Sequence, residues 1–449
     1  MIRKGSLVTM RYTMRNGRGE MLENRQTTYL HGSSEISPVL QTQLEGLEPG
    51  QTKMAYLKKG DEDADDDFTF EIVIEAVRQA MQIHLLSGFL GSGKTTAISQ
   101  ACRLLATYGI PSAVISNDQG DQLVDGAFFE HLGIPGRQVT NGCFCCNYND
   151  LDRCILSLTG QDQYPILFAE SVGSCTDLVA TVLKPLSRQY RGWHPTVSVF
   201  ADAMLLPGML EGRSRFDPAV NYIYMKQLEE AQVIVVTKTD QAGNDNALRR
   251  LLTQRFPEKT VLHQNSFNDD HILRWLQTLG QLSPGSATLP SLDIDYDRYG
   301  AGEAQLAWLD QQLEIESPSQ NAQWAALALV TRLSRTNHPI GHLKCLIDNT
   351  VKISFTSTDT TGFTSTGTTD FTSTDFAHFT TGTTDHIPIR PAASTRLLIN
   401  ARIQTSPVEL SALIAEAIQA TEKAHHCTIR TLTASCFQPG FPRPTHRLS

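Results

Sequence analysis

Gly88-Phe89-Leu90-Gly91-Ser92-Gly93-Lys94-Thr95, followed by Thr96, matches G-x-x-x-x-G-K-[ST]. It comes after the apolar run IHLLS and opens the amphipathic stretch TTAISQACRLL, the strand-then-helix context that separates a phosphate loop from a chance match. Gly88, Gly91 and Gly93 let the backbone N–H groups of the loop, that of Ser92 among them, turn inward toward phosphate oxygens, and the helix N-terminus adds positive potential. Lys94 is expected to reach the β- and γ-phosphates, and Thr95 to offer its hydroxyl to Mg²⁺.

Outward from the loop, apolar strands alternate with amphipathic helices: SAVISND, YPILFAE, TVSVFADA and QVIVVTKTD follow one another downstream. That alternation predicts βαβ units, a parallel sheet and ligands at its carboxyl edge. YPILFAE ends in Glu170-Ser171-Val172-Gly173, an acid and then a glycine where a Walker B strand and switch loop belong. Glu170 is expected to hold Mg²⁺ directly or through water, and the Gly173 amide to bond the γ-phosphate. SAVISND brings Asn117 and Asp118 to the same rim, where Asp118 can also be a cap or turn residue. Lys94, Glu170 and Asp118 are the expected participants in hydrolysis.

Thr237-Lys238-Thr239-Asp240 is a variant of the guanine-reading N-K-x-D motif. Asp240 would accept from the guanine N1–H and N2 amine, Lys238 would cover the purine with its stem, and Ser266 in HQNSFN would back the base. GTP is therefore expected over ATP, and TKTD counts against a P-loop kinase using ATP.

Gly142-Cys143-Phe144-Cys145-Cys146 places three thiols within four residues. Soft thiolates select Zn²⁺, Cu⁺ or similar ions, and a triplet without a fourth ligand suits an open, transferable site. A redox pair or small buried residues are the other readings of this spacing. Cys154, eight residues on in an expected helix, could contribute a ligand but, as one cysteine on an apolar helix, reads rather as core, as do Cys102, Cys175 and Cys345. His425-His426-Cys427 resembles a ligand set but borders a strand.

A length of 449 residues corresponds to roughly three domains. Apolar residues make up 40% and charged ones 19%, ordinary for a globular protein. A net charge of −9 argues against a nucleic-acid partner, and no signal peptide or run of about 18 apolar residues is present, so no membrane partner and a cytoplasmic location are expected. Nine cysteines in such a compartment stay reduced unless they bind metal or do chemistry. Residues 1–80 read as short β segments between turn signals, with Asp61 to Asp67 a solvated loop. Residues 81–280 form the nucleotide domain and 281–295 a Gly/Pro/Ser-rich linker. Residues 296–449 read as an α+β sandwich of ferredoxin-like type with an additional strand. Its Thr/Ser-rich insertion, 355–386, has too little aliphatic content for a core and is an extended hairpin loop or a disordered insertion.

GFLGSGKTT, NDQG, GCFCC, ESVG and TKTD occur in the order and approximate spacing of the CobW-like GTPases, relatives of HypB and UreG. The resemblance implies an enzyme, a GTPase that binds GTP, Mg²⁺ and a transition metal (Zn²⁺ or Co²⁺) and inserts the metal, or a metal cofactor, into a client protein. Cys143, Cys145 and Cys146 match that family's metal-binding cysteines, and a homodimer is one assembly open to it. Where the family has Asn-Glu-Phe-Gly-Glu this chain has Asn117-Asp118-Gln119-Gly120-Asp121, and Thr237 replaces the usual Asn. A regulatory switch whose metal merely completes the fold is the competing reading. Residues 1–80 resemble the SlyD-type FKBP prolyl isomerases through SLVTMRYTMRNGRGEML, YLHGSSEISPVLQTQLEGLEPGQ and FTFEIVIEAVRQA. Between Leu57 and Phe68, where that family inserts a chaperone flap, the chain has only KKGDEDADDD. This truncated resemblance implies a docking or peptide-binding role, with Tyr12, Tyr29 and Ile36 as remnants of the pocket.

Overall fold

The computed structural model describes residues 1–449 except 4–5, 33–34, 80, 119–123, 141, 160–163, 191–192, 243–245, 283–288, 358–362 and 366–388; the side chains of 30, 63, 78–79, 194 and 363–365 are also outside the description. Gln119, Gly120, Asp121, the middle of the linker and most of the Thr/Ser-rich insertion therefore lie outside the described residues.

Three sheets account for the described strands. The first is antiparallel, order β2-β1-β4-β3, from β1 (Ser6–Arg15), β2 (Met21–Leu30), β3 (Thr52–Leu57) and β4 (Phe68–Gln79). Strand β2 extends well beyond the MLE segment that the turn signals mark. One helix, Pro38–Leu44, closes the core over Val8, Tyr29, Ile72 and Ile74, with Ser37 capping its start. Most of Asp61 to Asp67 is exposed or half-buried.

The second sheet is the parallel one expected around the phosphate loop. It comprises β5 (Gln82–Ser87), β6 (Ser112–Asn117), β7 (Gly136–Val139), β8 (Ile166–Glu170), β9 (His194–Asp202), β10 (Val233–Thr237) and β11 (Thr260–His263), in the order β11-β10-β9-β5-β8-β6-β7. Its central strands are apolar on both faces because helices cover both sides; Val233–Thr237 is buried throughout. Strand β5 runs into the helix Lys94–Thr107 and pairs with β8, so the phosphate loop and Glu170 emerge side by side at one sheet edge. That helix buries Ala97, Ile98, Ala101, Leu104 and Leu105, the 3.6-residue stripe, in a cluster with Phe168, Phe200 and Trp275.

The third sheet is antiparallel: β12 (Ala307–Glu316), β13 (Ile340–Ile347), β14 (Val351–Ser357), β15 (Phe363–Ser365), β16 (Ser394–Ile403) and β17 (Thr428–Phe437), in the order β15-β14-β13-β16-β12-β17. The helices Ala322–Ser334 and Pro407–His425 pack together and against this sheet. The second begins with Ser406 accepting from the Glu409 N–H and Pro407 at the first helical position. Side chains alternate across the pleat. Leu343, Cys345, Ile353, Phe355, Ile399 and Ala401 enter the apolar cluster that the two helices complete. His342, Lys344, Lys352, Thr356, Asn400 and Arg402 point the other way and are nevertheless almost all buried. What buries them is the nucleotide domain: Val124 N–H donates to Asn400 Oδ1 at 2.8 Å, and the helix Val124–His131 contacts β13 and β16.

Candidate nucleotide site and cysteine cluster

The expected phosphate loop wraps where β5 meets its helix. Gly88 has a φ of 128°, and a Cβ there would lie 2.1 Å from the Phe200 carbonyl oxygen, so the turn into the loop requires glycine. Lys94 is buried; its Nζ donates to the carbonyl oxygens of Gly88 (2.6 Å) and Phe89 (3.3 Å), folding the cation back onto its own loop. Burial lowers the Lys94 pKa to about 8, with Glu170 pulling it up and Lys344 pushing it down. Thr95 Oγ1 donates to Glu170 Oε1 at 2.9 Å, while Glu170 Oε2 is buried with no partner. Burial, then the charge of Asp125, raises the Glu170 pKa, and Lys344 and Lys94 partly offset them. A hydroxyl beside a carboxylate with one free buried oxygen fits an Mg²⁺ ion, whose charge would reverse that upward pressure.

These groups border a cavity of about 20 Å³, roughly one water, lined by Gly91, Lys94, Asn117, Asp118, Asp125, Glu170, Gly173, Trp308, His342 and Lys344. Asp118 reaches the rim as expected, but its Oδ1 accepts from Arg402 Nη2 at 2.8 Å. Arg402 is fully buried, also donates to Asp310 (2.8 Å) and lies 4.0 Å from the Trp308 ring centroid. Asp118 thus joins the nucleotide domain to the third sheet.

At the end of β10, Thr237 Oγ1 donates to the Ser92 carbonyl oxygen at 2.8 Å, so the threonine braces the phosphate loop. Lys238 has a φ of 57° and its Nζ meets Asp202 Oδ2 at 2.6 Å, which fixes the stem. Asp240 is exposed at the turn after β10; Ser266 is buried, its Oγ accepting from Gln264 Nε2 at 3.1 Å. Thr96 is half-buried as the third residue of the helix, and Ser92 is buried with its own hydroxyl unpartnered.

The three thiols of GCFCC come together. Their Sγ atoms all lie within 4.8 Å of one another, with Cys143 and Cys145 buried and Cys146 partly exposed. Cys143 Sγ is 2.7 Å from Cys145 Sγ, and Cys145 Sγ is 3.8 Å from that of Cys146. Hydrogen bonds from Cys145, then Cys146 and Cys175, hold the Cys143 pKa well below the usual thiol range, while sharing that thiolate drives Cys145 up. Cys175, assigned to the core from sequence, is buried but also touches Cys143 and Cys145 through its thiol. It stands two residues after Gly173 on the loop that leaves β8. Among the described residues no other His, Cys or acid triplet gathers in this way. Cys102 and Cys345 lie in other apolar clusters, and His426 caps the helix Pro407–His425 in the left-handed region.

Asn117, at the end of β6, serves both centres. It borders the phosphate cavity, its Nδ2 donates to the carbonyls of Val139 (3.0 Å) and Gly142 (2.7 Å), and its Oδ1 accepts from the Phe144 N–H (2.9 Å). The C-terminal segment closes the outer side: Arg443 N–H points at Cys146 Sγ (3.3 Å), and the Thr445 N–H and hydroxyl bond the carbonyls of Cys145 and Cys146, each at 2.8 Å.

The zinc chaperone YjiA of Escherichia coli (strain K12) is 32% identical over 190 residues, which is 40% of this chain and 57% of the relative. The zinc chaperone YeiR of the same organism is 26% identical over 200 residues, 42% of this chain and 57% of that relative. The chain thus spans little more than half the length of these curated relatives. Among solved structures, HypB from Helicobacter pylori in complex with nickel aligns at 14% identity with a TM-score of 0.36, covering 48% of this chain and 92% of that one. The hydrogenase maturation factor HypB from Archaeoglobus fulgidus aligns at 16% identity with a TM-score of 0.32, covering 45% and 89%. Residues 82–262, the parallel sheet with its phosphate loop and cysteine cluster, match the family described as CobW/HypB/UreG, nucleotide-binding domain.

Proposed function

We propose that the chain is a cytoplasmic GTP-hydrolysing metallochaperone: it binds a transition metal through Cys143, Cys145 and Cys146 and hands it, or assists its insertion, to a client metalloprotein. The observation that carries this is Asn117, which borders the phosphate cavity and bonds the cysteine loop at Gly142 and Phe144 and the end of β7 at Val139. A change at the γ-phosphate therefore has a direct mechanical route to the metal ligands. The family match supports the nucleotide half, the names of the two curated relatives support zinc as cargo, and no described helix is long and apolar enough to cross a membrane.

In this reading Lys94 leaves the loop carbonyls and turns to the β- and γ-phosphates. Thr95 and Glu170 would hold Mg²⁺, which supplies charge neutralisation across the transferring phosphoryl group. The Gly173 N–H bonds the γ-phosphate and Asp118 faces the same rim. Asp240 reads the guanine edge, with Lys238 and Ser266 flanking the base and Thr237 bracing the loop. The first sheet is an FKBP-like docking module built around Tyr12 and Tyr29. The third is ferredoxin-like: taken without β14 and β15, its order β13-β16-β12-β17 supports that arrangement.

The burial of Cys143 and Cys145 favours a second reading, a switch in which the metal only completes the fold. Zn²⁺-loaded chain mixed with a chelating acceptor separates the two. Delivery predicts metal transfer faster during GTP turnover than with GDP; metal retained through many turnovers would leave the structural reading. Asn117→Ala removes two hydrogen bonds from the cysteine loop and a third from the end of β7 that leads into it, and zinc affinity is expected to fall about tenfold in chelator competition, the usual scale for groups that orient metal ligands.

A further inference from the structure

The wall of the phosphate cavity facing the phosphate loop belongs to the third sheet, more than 200 positions away in sequence from the loop, and it is in tight contact. Gly91 has a φ of 71°; a Cβ there would come within 1.8 Å of Thr356 Cγ2 and 3.2 Å of the Gly341 carbonyl oxygen. On β13, just beyond Gly341, His342 and Lys344 both line the cavity with Lys94 and Glu170.

His342 is 4% exposed, and neither ring nitrogen has a hydrogen-bond partner. Two orphaned imidazole nitrogens in a buried polar pocket are costly, and a bound ligand that satisfies one would remove part of that cost. Burial, followed by Lys344 and Arg402, keeps the ring in its neutral form, with one N–H to donate. Lys344 pairs with Asp125, and so does Lys352, at 2.7 Å. One carboxylate thus serves two cations, Lys352 buried and Lys344 partly so, and Lys344 can turn to an anion while Lys352 stays with Asp125.

We propose that His342 and Lys344 contact the γ-phosphate of the bound nucleotide, so that the third domain distinguishes triphosphate from diphosphate. The inference rests on the nucleotide reading above and adds a consequence to it. Because the loop's concavity takes the α- and β-phosphates, the third phosphate would enter between Glu170, Gly173 and β13, where the one-water space widens as Lys94 leaves the Gly88 and Phe89 carbonyls and Lys344 turns from Asp125. Arrival or loss of that phosphate would shift β13, and with it Arg402 on the neighbouring strand, whose pair with Asp118 ends beside Asn117 and the cysteine loop.

The test measures affinities of the full-length chain for GDP and for a non-hydrolysable GTP analogue, with Mg²⁺, in His342→Leu, His342→Gln and Lys344→Met. The expected result is that His342→Leu and Lys344→Met lose about tenfold or more in analogue affinity while GDP affinity stays within about twofold, the scale of a charge-assisted hydrogen bond. His342→Gln, which keeps an N–H donor, should retain most of the preference. An unchanged analogue-to-GDP ratio, or equal losses for both ligands in either variant, overturns the proposal. Wild-type chain that binds neither ligand would instead remove the nucleotide reading itself, and a GDP-binding chain keeps the two judgements separate.

Discussion

Lys94→Ala is expected to abolish GTP turnover and to weaken GTP binding by at least about a hundredfold, with the chain still folded. Removing a preorganised charge from a transferring phosphoryl group has effects of about 10²- to 10³-fold. Folding should survive because the loop holds this cation at a disadvantage: it is buried, its nearest partners are two loop carbonyls, and its pKa falls to about 8 against an ordinary 10.5. Between those two values the unfolded chain binds a proton that the folded chain has shed, so wild-type stability rises with pH across the window. The alanine variant should lack that rise. Nucleotide affinity has the opposite trend, since phosphates want the ammonium form: it should decline in the wild type as pH passes about 8. Fluorescent-nucleotide titration, phosphate release and denaturant melts from pH 7 to 10 read all three. Turnover in the variant within about threefold of wild type would remove Lys94 from the mechanism.

The parts of the fold that were legible in the sequence are those written in local spacing. The phosphate loop, the acid ending β8, the cysteine triplet and the strand–helix alternation each depend on neighbours a few residues apart, and all are found where that spacing puts them. So are the strands of the first and third units, although β2 runs on through ENRQTTYL, a polar stretch stabilised by pairing with β1 rather than by its own pattern. What could not be read are contacts that exist only after domains dock. The pair between Arg402 and Asp118 spans 284 positions, and that between Lys344 and Asp125 spans 219. The alternation in GHLKCLI marks one apolar face, but an alternating strand is usually solvated on its polar face, and nothing local announces that His342 and Lys344 are buried against another domain. Cys175 was legible in principle: a thiol two residues past the glycine of a switch loop is a residue carried toward the nucleotide, yet a lone cysteine in an apolar run has the statistics of a core residue.

Replacement of Cys143, Cys145 and Cys146 together by serine is expected to cost at least about a hundredfold in Zn²⁺ affinity and to leave GTP binding intact. Serine keeps the size of each side chain but not the soft, ionisable sulfur, and at neutral pH its hydroxyl does not ionise to compete for zinc. Among single changes Cys143→Ser should do most, because Cys143 is the sulfur on which Cys145, Cys146 and Cys175 converge and whose pKa they hold down. Losing it removes the one ligand already disposed to be a thiolate. Cys102→Ser and Cys345→Ser are the controls: both thiols are buried in separate apolar clusters with raised pKa values, so they should disturb packing without altering metal affinity. Competition against a chromogenic chelator gives the affinities, and Co²⁺ substitution gives a second readout, since thiolate-to-cobalt absorption appears only when sulfur binds the ion. A triple variant that holds Zn²⁺ within about threefold of wild type would move the metal elsewhere in the chain, and Asn117 would then link the phosphate cavity to a loop with no cargo.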